Sequence, residues 1–426
     1  MQPRSRTRRF WLALILLFSL HGLAAGDWPR FRGPNGTGLA ADKDVPVKWS
    51  NENVLWKTAI PGIGHSSPIV CRGRVFLQSA SKDGKERWLI SLDAKSGEIL
   101  WKSPSPGRRA KKHTLNSLAS STPATDGQHV YALFWDGKDI HLDAFDFKDG
   151  KPLWQKNLGG FKGNHGVGHS PMLIDGKVIL ANDQDGSSRL LALDARSGDK
   201  VWEAERRPFR TCYSTPFVHV KPDGGKELIV ASTAGITSYN PADGKANWWY
   251  IWSFTGMALR TVASPIAAND LVFATSGDGS GERNTIAVKL GGKGDVTGNN
   301  LAWENREKFP FSYVPCLLAH GKYLFSVHDK GKASCHLAHS GEEVWQEERL
   351  DASGFTASPI LVDGKIYAVA NRGSVYVYEA GAKFKLLAKN SVGERVSSTP
   401  AVADNRLFIR GEEHLFCIGK APARNR

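Results

Sequence analysis

Eight Ser-Pro, Thr-Pro or Val-Pro steps, each leading into a short apolar run, recur along the 426 residues at intervals of 41 to 55 residues. The prolines are Pro68, Pro123, Pro171, Pro216, Pro265, Pro315, Pro359 and Pro400. A period of this length is typical of propellers, solenoids and other arrays, whose units bury their faces only against each other. The chain is therefore predicted to form one repeat domain, although its length would allow two or three ordinary domains.

The first unit, from Ser67 to Trp101, shows what is repeated. Four short runs rich in β-branched and large apolar residues are separated by Gly or Asp turns, a pattern that predicts four antiparallel strands, A to D. The turn between strands C and D has the form Asp-x-x-x-Gly, as in Asp93 to Gly97. Its glycine is predicted to supply the positive φ of a three-residue hairpin.

In most units a tryptophan stands four residues after that glycine, on strand D. One large ring per unit can fill the wedge between two neighbouring sheets, so we predict a structural role in docking the units together. This set comprises Trp56, Trp101, Trp154, Trp202, Trp248, Trp303 and Trp345. Trp56 precedes the first complete unit, and the last unit lacks a strand D. The N-terminal strand is therefore predicted to complete the last unit and close a ring, which leaves no sheet edge unpaired.

The chain ends predict export. Residues 1–26 hold four arginines and no acidic residue, then an apolar run and small residues, as in a secretory signal peptide cleaved near residue 26. The pair Arg8 and Arg9 leaves the twin-arginine route open. The first cysteine is Cys71, so no lipid anchor is expected. We divide the chain into the signal peptide, a lead-in segment at 27–52, the repeat domain at 53–418 and a tail at 419–426.

Composition limits the chemistry. Five cysteines are an odd number scattered along the chain, which favours buried thiols over a disulfide framework. The formal net charge is +14, or +10 without the signal arginines, and favours an anionic partner, unless the charge merely keeps the protein soluble. Residues 108–112 hold four cations that would attract phosphate or sulfate, although a solvated loop is the alternative. No aromatic residue is interleaved with them, so no nucleic acid partner is predicted.

The Asp-x-x-x-Gly-x-x-x-Trp units, the Ser/Thr-Pro openings and the eight-fold count resemble the PQQ-like (pyrroloquinoline quinone) β-propeller repeats over residues 53–418. The segment Asp27 to Gly36 also resembles the start of secreted propellers of unassigned function in this family. The resemblance implies an all-β, eight-bladed propeller of four-stranded antiparallel blades, expected to be monomeric. It relates the chain to BamB-like propellers, which are binding scaffolds, and to quinoprotein dehydrogenases, which hold PQQ and calcium on the propeller axis.

The dehydrogenase resemblance implies an adjacent cysteine pair, an Asp base and Glu and Asn ligands for calcium. The cysteine pair is absent, and no acidic residue maps onto the base. We therefore expect a non-catalytic binding or scaffolding propeller of the periplasm or cell envelope, without a cofactor. A PQQ- and calcium-dependent alcohol or sugar oxidoreductase is the alternative, and recognition of acidic polysaccharide is a second one.

In a propeller, the residues just before each proline step should point toward the mouth of the central channel. The polar and mostly cationic set consists of His65, Asn116, His165, His169, Arg210, Arg260, Tyr313 and Arg395. We predict that this ring binds a protein partner or an anionic or hydroxyl-rich ligand, such as a carbohydrate, through Arg and His donors. The alternative is that these groups only bond channel water and neighbouring loops.

Metal and nucleophile motifs are weak. His165 and His169 are four residues apart, but in a Gly-rich loop rather than on a helix as in His-x-x-x-His zinc sites. The segment from Asp183 to Gly186 only partly resembles a calcium loop. The Pro-step hydroxyls recur in nearly every unit, as structural positions do and a single nucleophile does not. No metal ligand and no catalytic residue is predicted.

Overall fold

The computed structural model describes residues 26–252, 259–351 and 353–420. Within them the chain forms eight antiparallel sheets and only two short 3-10 helices, Pro34–Gly36 and Asn51–Asn53. The predicted eight-bladed propeller is confirmed. Residues 1–25 of the proposed signal peptide and most of the C-terminal tail lie outside the described residues. No helix in the described ranges is long and apolar enough to cross a membrane.

We number the blades 1 to 8 along the chain and list strands A to D of each. Blade 1 is Ile69–Cys71, Arg74–Ala80, Glu86–Asp93 and Ile99–Pro106, and blade 2 is Ala124–Thr125, His129–Trp135, Asp139–Asp146 and Pro152–Gly160. Blade 3 is Met172–Ile174, Lys177–Asn182, Ser188–Asp194 and Lys200–Arg206, and blade 4 is Phe217–Val220, Lys226–Ser232, Gly235–Tyr239 and Ala246–Ile251.

Blade 5 is Ile266–Ala268, Leu271–Gly277, Arg283–Lys289 and Leu301–Asn305, and blade 6 is Leu318–His320, Tyr323–Val327, Lys332–Leu337 and Glu343–Arg349. Blade 7 is Ile360–Val362, Lys365–Val369, Ser374–Glu379 and Leu386–Ser391, and blade 8 is Ala401–Ala403, Arg406–Arg410, His414–Ile418 and Val54–Ala59. Leu39–Ala40 adds a parallel strand to blade 7 and Gly294–Asp295 adds one to blade 4.

The ring closes as the sequence predicts. Val54–Ala59 pairs antiparallel with His414–Ile418, and Trp56 lies opposite Cys417. The first long strand of the chain is thus the outer strand of the last blade. This pairing joins the two ends of the repeat domain by main-chain hydrogen bonds, so no blade is left at an open end of the array.

Neighbouring blades dock through the tryptophans. The indole of Trp154 in blade 2 lies on Gly198 in the C–D turn of blade 3, and its Nε1 donates to Ala195 O at 3.1 Å. A Cβ atom on Gly198, whose φ is 72°, would lie 2.6 Å from the indole. The turn glycine is therefore needed both for its positive φ and for the close approach of the ring. The same contact joins Trp56 to Gly97, Trp101 to Gly150, Trp202 to Gly244 and Trp303 to Gly341.

Two tryptophans depart from this contact. Trp345 donates to Gly381 O at 3.1 Å, in the turn of blade 7. Trp248 is fully buried, but its Nε1 donates to Glu227 Oε2 in its own blade at 3.3 Å. The next turn, in blade 5, is expanded and supplies the extra strand Gly294–Asp295 that pairs with residues 248 and 249. The expanded turn thus replaces the usual glycine contact at this junction.

Hydroxyl groups of the proline steps tie the inner strands together. The amide of Ser67 donates to Thr122 Oγ1 in the next blade at 3.1 Å, and Thr399 N donates to Ser67 Oγ at 3.0 Å. Such a bond joins six of the eight junctions within the described residues, and at a seventh the Ser264 amide donates to Cys316 Sγ instead. We call the residues of these bonds the inner ring. The inner ring consists of Ser67, Thr122, Ser170, Thr215, Ser264, Cys316, Ser358 and Thr399.

In blade 6 the predicted proline step, at Pro315, does not have the position that the other steps have. Strand A of this blade begins at Leu318, and Cys316 takes the inner-ring place that Ser67 has before Ile69. Pro315 therefore stands one position before the ring residue, whereas Pro68 stands one position after it. The Val-Pro dipeptide matches the motif in spacing but not in register.

The lead-in segment crosses one end of the central channel. Trp28 pairs with Val70 of blade 1, and Arg30 Nη2 donates to Pro216 O of blade 4 at 2.6 Å. Arg32 Nη2 donates to Leu317 O of blade 6 at 2.8 Å. Trp28, Arg30 and Arg32 are all buried. The lead-in is thus a plug on the face that carries the A–B and C–D turns, which we call the plug face. The opposite face, with the B–C and D–A loops, is the mouth face.

Candidate functional site

A cavity of about 340 Å³ occupies the channel above the plug. Phe31 of the lead-in closes it from below, and seven of the eight inner-ring residues line its lower wall. At the other end it is bordered by Leu115, which is 71% exposed. The cavity is therefore a blind pocket that opens on the mouth face, a form that suits a ligand of limited size or the tip of a partner's loop.

The middle of the wall is formed by the residue two positions before each inner-ring member. These residues are His65, Ser120, Gly168, Tyr213, Val262, Val314, Thr356 and Ser397. The backbone is extended here, so alternate side chains point to opposite sides. The residue one position before each ring member is buried in the blades instead, as His169, Ser121 and Ser398 are. The repeat thus gives each blade one variable side chain in the channel.

The upper rim comes from the loops of the mouth face. His113, Leu115, Asn116, His165, Arg260 and Tyr313 line it. The rings of His113 and His165 stack with centroids 4.6 Å apart. The Asn116 amide donates to His165 O at 2.7 Å and to Val167 O at 3.3 Å. The end of the basic loop is therefore fixed to the loop between blades 2 and 3.

The predicted set is only partly brought together. His65, Asn116, His165, Arg260 and Tyr313 line the cavity.

Three of the predicted residues do not line it. His169 is 1% exposed, and its Nε2 lies 2.9 Å from Asp183 O, because its place in the extended segment turns it into the blade. Arg210 lies outside the cavity wall. Arg395 is exposed and lines a neighbouring cavity with Lys112 and Arg410.

Tyr213 is the largest of the mid-wall residues that lie outside the predicted set. Its hydroxyl donates to Gly166 O at 3.0 Å, and burial raises its pKa, so it stays protonated at neutral pH. The signal that could have found it is its register, two positions before Thr215. His113 and Leu115, which follow the basic residues 108–112, line the rim and also lie outside the predicted set.

The electrostatics of the site differ from those of a ring of charged histidines. Burial, and after it the charges of the nearby Arg410, Lys112 and Arg395, together lower the pKa of His65 to about 4. Burial and the charge of Arg260 lower the pKa of His165 to about 4. Both imidazoles are therefore neutral at pH 7. The positive charge of the wall comes from Arg260, which is 7% exposed and whose Nε has no hydrogen-bond partner among the described residues.

The wall of this cavity holds no Asp or Glu within the described ranges. Asp183, in the segment that partly resembles a calcium loop, is instead bound by Arg206 at 2.7 and 2.9 Å in a buried ion pair. One candidate group of metal-binding side chains lies away from the channel, at Glu394, Glu413 and His414. There Glu394 already accepts hydrogen bonds from Glu413 N at 2.8 Å and binds the His414 ring at 3.1 Å, so this group is explained as a link between loops.

A family described as outer membrane protein assembly factor BamB matches residues 33–168, 145–347 and 329–418. The chain belongs to this family. Two BamB relatives of this chain show how far sequence identity and coverage extend. That of Moranella endobia is 22% identical over 51% of this chain and 60% of its own length, so the match spans less than two thirds of that relative. That of Shewanella oneidensis is 23% identical over 87% of this chain and 89% of its own length.

Other matches, which cover less of the relative's length, include dehydrogenases. A polyvinylalcohol dehydrogenase of a Pseudomonas species is 28% identical over 41% of this chain and 28% of its own length. Among solved structures, BamB from Moraxella catarrhalis has a TM-score of 0.61 at 15% identity, covering 87% of this chain and 100% of that chain. A europium-containing methanol dehydrogenase has a TM-score of 0.66 at 13% identity, covering 92% and 91%. At these identities the structures show a shared fold alone.

Proposed function

We propose that this protein is an exported, non-catalytic binding scaffold of the cell envelope, and that its mouth face binds a protein partner through an anionic group. The observation that carries the proposal is the blind cavity on that face, whose wall holds the buried cation of Arg260 and, among the described residues, no carboxylate to neutralise it. A buried guanidinium without a counter-ion favours an anionic ligand, such as a carboxylate side chain of a partner.

Family membership supports the same function. The BamB relatives are named as assembly factors of outer membrane proteins. For this chain we carry over only the class of activity, binding within the envelope. Lys112 and Arg395, in the adjoining cavity, extend the cationic surface beyond Arg260. Such a surface would accelerate association with an acidic partner and make it dependent on salt.

The alternative, an oxidoreductase that uses PQQ and calcium, does not fit the donor set of the cavity. Calcium takes 6–8 oxygen ligands and usually several carboxylates, whereas the described wall offers hydroxyls, imidazoles, the single side-chain amide of Asn116 and Arg260. The cysteines that the structure describes are separate and buried, with no adjacent pair. Titration with PQQ and calcium tests this directly. A stoichiometric shift of the quinone absorption together with alcohol- or sugar-dependent dye reduction would favour the dehydrogenase.

Affinity capture from solubilised native envelope tests the proposed function. The double variant Arg260→Gln/Arg395→Gln should lose the captured partner, and capture by the unaltered protein should fall steeply between low and physiological salt. Lys226→Gln is the matched control, because Lys226 pairs with Asp175 on the plug face and its loss should change nothing. Equal capture by both variants would contradict the proposal. Salt-sensitive retention on an acidic polysaccharide, with no protein captured, would favour polysaccharide recognition instead.

A further inference from the structure

A second cavity, of about 320 Å³, lies beside the channel on the mouth face. Three cations line it: Lys112 from the loop after blade 1, Arg395 from the loop before blade 8, and Arg410 from the end of strand B of blade 8. The charges of all three act on the imidazole of His65, which lines the same cavity. Because three separate segments each contribute one cation, positive charge converges in this cavity instead of being spread along the surface.

Arg410 is the most deeply buried of the three cations. It is 1% exposed, and its Nη1 donates to Gln78 O and, at 3.3 Å, to Ser66 O, while its Nη2 donates to Ser79 Oγ at 3.4 Å. Its Nε has no hydrogen-bond partner among the described residues. Burial lowers the pKa of Arg410 to about 9, so the guanidinium still carries its charge at neutral pH. All the acceptors that the described residues offer it are neutral.

Two other buried arginines near the mouth face have carboxylate partners. Arg206 binds Asp183 at 2.7 and 2.9 Å, and Arg283 binds Asp329 at 2.8 and 2.9 Å. Burying a cation is costly unless an opposite charge compensates it. In those two places the chain supplies that charge, whereas at Arg410 the described residues supply none, and the guanidinium borders a cavity instead.

We propose that this cavity binds a tetrahedral oxyanion, either inorganic phosphate or the phosphomonoester group of a larger ligand. Such a group carries a charge of about −1.5 to −2 at pH 7 and several acceptor oxygens, so it suits converging cations better than a single carboxylate does. One water needs about 10–15 Å³, so the cavity has room for a phosphate group. The site lies beside the channel cavity and does not rest on the partner-binding function proposed above.

The other polar groups of the wall are available to such an anion. The side chains of Lys112 and Arg395 form no hydrogen bond or ion pair among the described residues, and the exposed Ser397 hydroxyl has no partner there either. The wall holds one carboxylate within the described ranges, that of Glu412, which is exposed and forms no ion pair there. Three cations against one carboxylate leave two positive charges in excess, and the lysine, arginine and serine can donate to the oxygens of the anion.

The test titrates the purified protein with inorganic phosphate at pH 7.5 and constant ionic strength, and follows acetylation of each lysine by an N-hydroxysuccinimide ester with peptide mass spectrometry. Phosphate at ten times its Kd should slow acetylation of Lys112 about tenfold, because the bound anion occupies the amine. Lys111 is the internal control, since it is exposed, adjacent in the chain and outside the cavity. No protection of Lys112, or equal protection of both lysines, would overturn the proposal.

Substitutions locate the anion, with protection of Lys112 as the readout. Arg395→Gln should weaken phosphate binding about tenfold, because it removes one charge-assisted hydrogen bond, whereas Lys111→Gln should leave the binding unchanged. Arg410→Gln should abolish it. If that variant does not fold, because its bonds to blade 1 are lost, Arg395→Gln decides. Binding that is lost in Arg260→Gln and kept in Arg395→Gln would place the anion in the channel cavity and overturn the proposal.

Sedimentation with lipid vesicles distinguishes the two sources of the phosphate group. Protection by inorganic phosphate without sedimentation would support a free anion as the ligand. Sedimentation with phosphatidylcholine vesicles that contain phosphatidic acid, absent with phosphatidylcholine alone and lost in Arg395→Gln, would support a phosphomonoester headgroup. Absence of both effects would overturn the proposal. Loss of partner capture while phosphate still protects Lys112 would contradict only the proposed function.

Discussion

At one end of the channel the lead-in buries Trp28 and Arg32 against the inner strands, whereas at the other end Leu115 lies 71% exposed beside the cavity. The plug end is built from main-chain pairing and from side chains bonded to backbone carbonyls of several blades. The mouth end is built from loops that differ from blade to blade. Sequence change at the plug end is therefore limited by stability, and change at the mouth end is free to alter binding.

The largest expected difference between the two ends is in stability. Trp28→Ala should lower the free energy of unfolding by about 3–5 kcal/mol, because it removes a fully buried ring and leaves a cavity under the propeller. Leu115→Ala should change it by less than about 0.5 kcal/mol, because that side chain is exposed. Denaturant unfolding measures both. A small loss in Trp28→Ala would show that the lead-in is not part of the folded core.

Two arginines on the mouth side distinguish a structural residue from a candidate ligand-binding residue by the effect of their substitution on stability. Arg206 forms a buried bidentate pair with Asp183, so Arg206→Gln should cost about 3–5 kcal/mol by leaving the carboxylate unpaired. Arg260 has no such partner among the described residues, so Arg260→Gln should change stability by less than about 1 kcal/mol. Equal losses in thermal or denaturant unfolding would mean that Arg260 is structural and not available to a ligand.

Two glycines in blade 3 separate backbone strain from packing. Gly198 and Gly176 have φ of 72° and 70°, but only Gly198 lies against an indole, that of Trp154. Gly176→Ala should cost about 1 kcal/mol, from the left-handed backbone alone. Gly198→Ala should cost about 1–3 kcal/mol more, because the new methyl group forces the indole away. If both variants unfold alike, the Trp–Gly contact does not hold the blades together.

His65, in the cavity wall, predicts that the stability of the fold depends on pH. His65 has a pKa near 4 in the folded protein and about 6.5 when unfolded, so between these values the unfolded state binds the extra proton. Stability should fall as the pH drops below 6.5, and this residue contributes up to about 2 kcal/mol of the loss at pH 5. His65→Gln should reduce the difference in Tm between pH 7 and pH 5. An unchanged difference would contradict the burial of a neutral imidazole.

The repeated parts of the fold could be predicted from the sequence because each motif occurs in several blades. The turn glycines and the tryptophans recur with a period, and most junctions between blades use them. The closing strand follows from the same pattern, because Trp56 has the place of a strand D residue before the first complete unit. The plug could not be predicted from the sequence. Arg30 and Arg32 bind residues about 190 and 290 positions away, and no local sequence pattern indicates such contacts.

The candidate site was predicted less well, for a reason of register. In an extended segment a shift of one residue moves a side chain to the opposite side. His169 lies one residue before Ser170 and is buried in the blade, while Tyr213 lies two before Thr215 and lines the channel. The Val-Pro step at Pro315 failed for the same reason, because proximity to a proline does not fix the register of the inner ring.

Site-specific photocrosslinking in cells tests most directly whether binding belongs to the mouth face. A photoreactive residue replaces either Leu115, which is 71% exposed on that face, or Val220, which is 60% exposed at the end of an inner strand on the plug face. We predict crosslinks to an envelope protein from position 115, lost when Arg260→Gln/Arg395→Gln is added, and none to that protein from position 220. Equal crosslinking from both positions, or crosslinking from position 220 alone, would contradict the account.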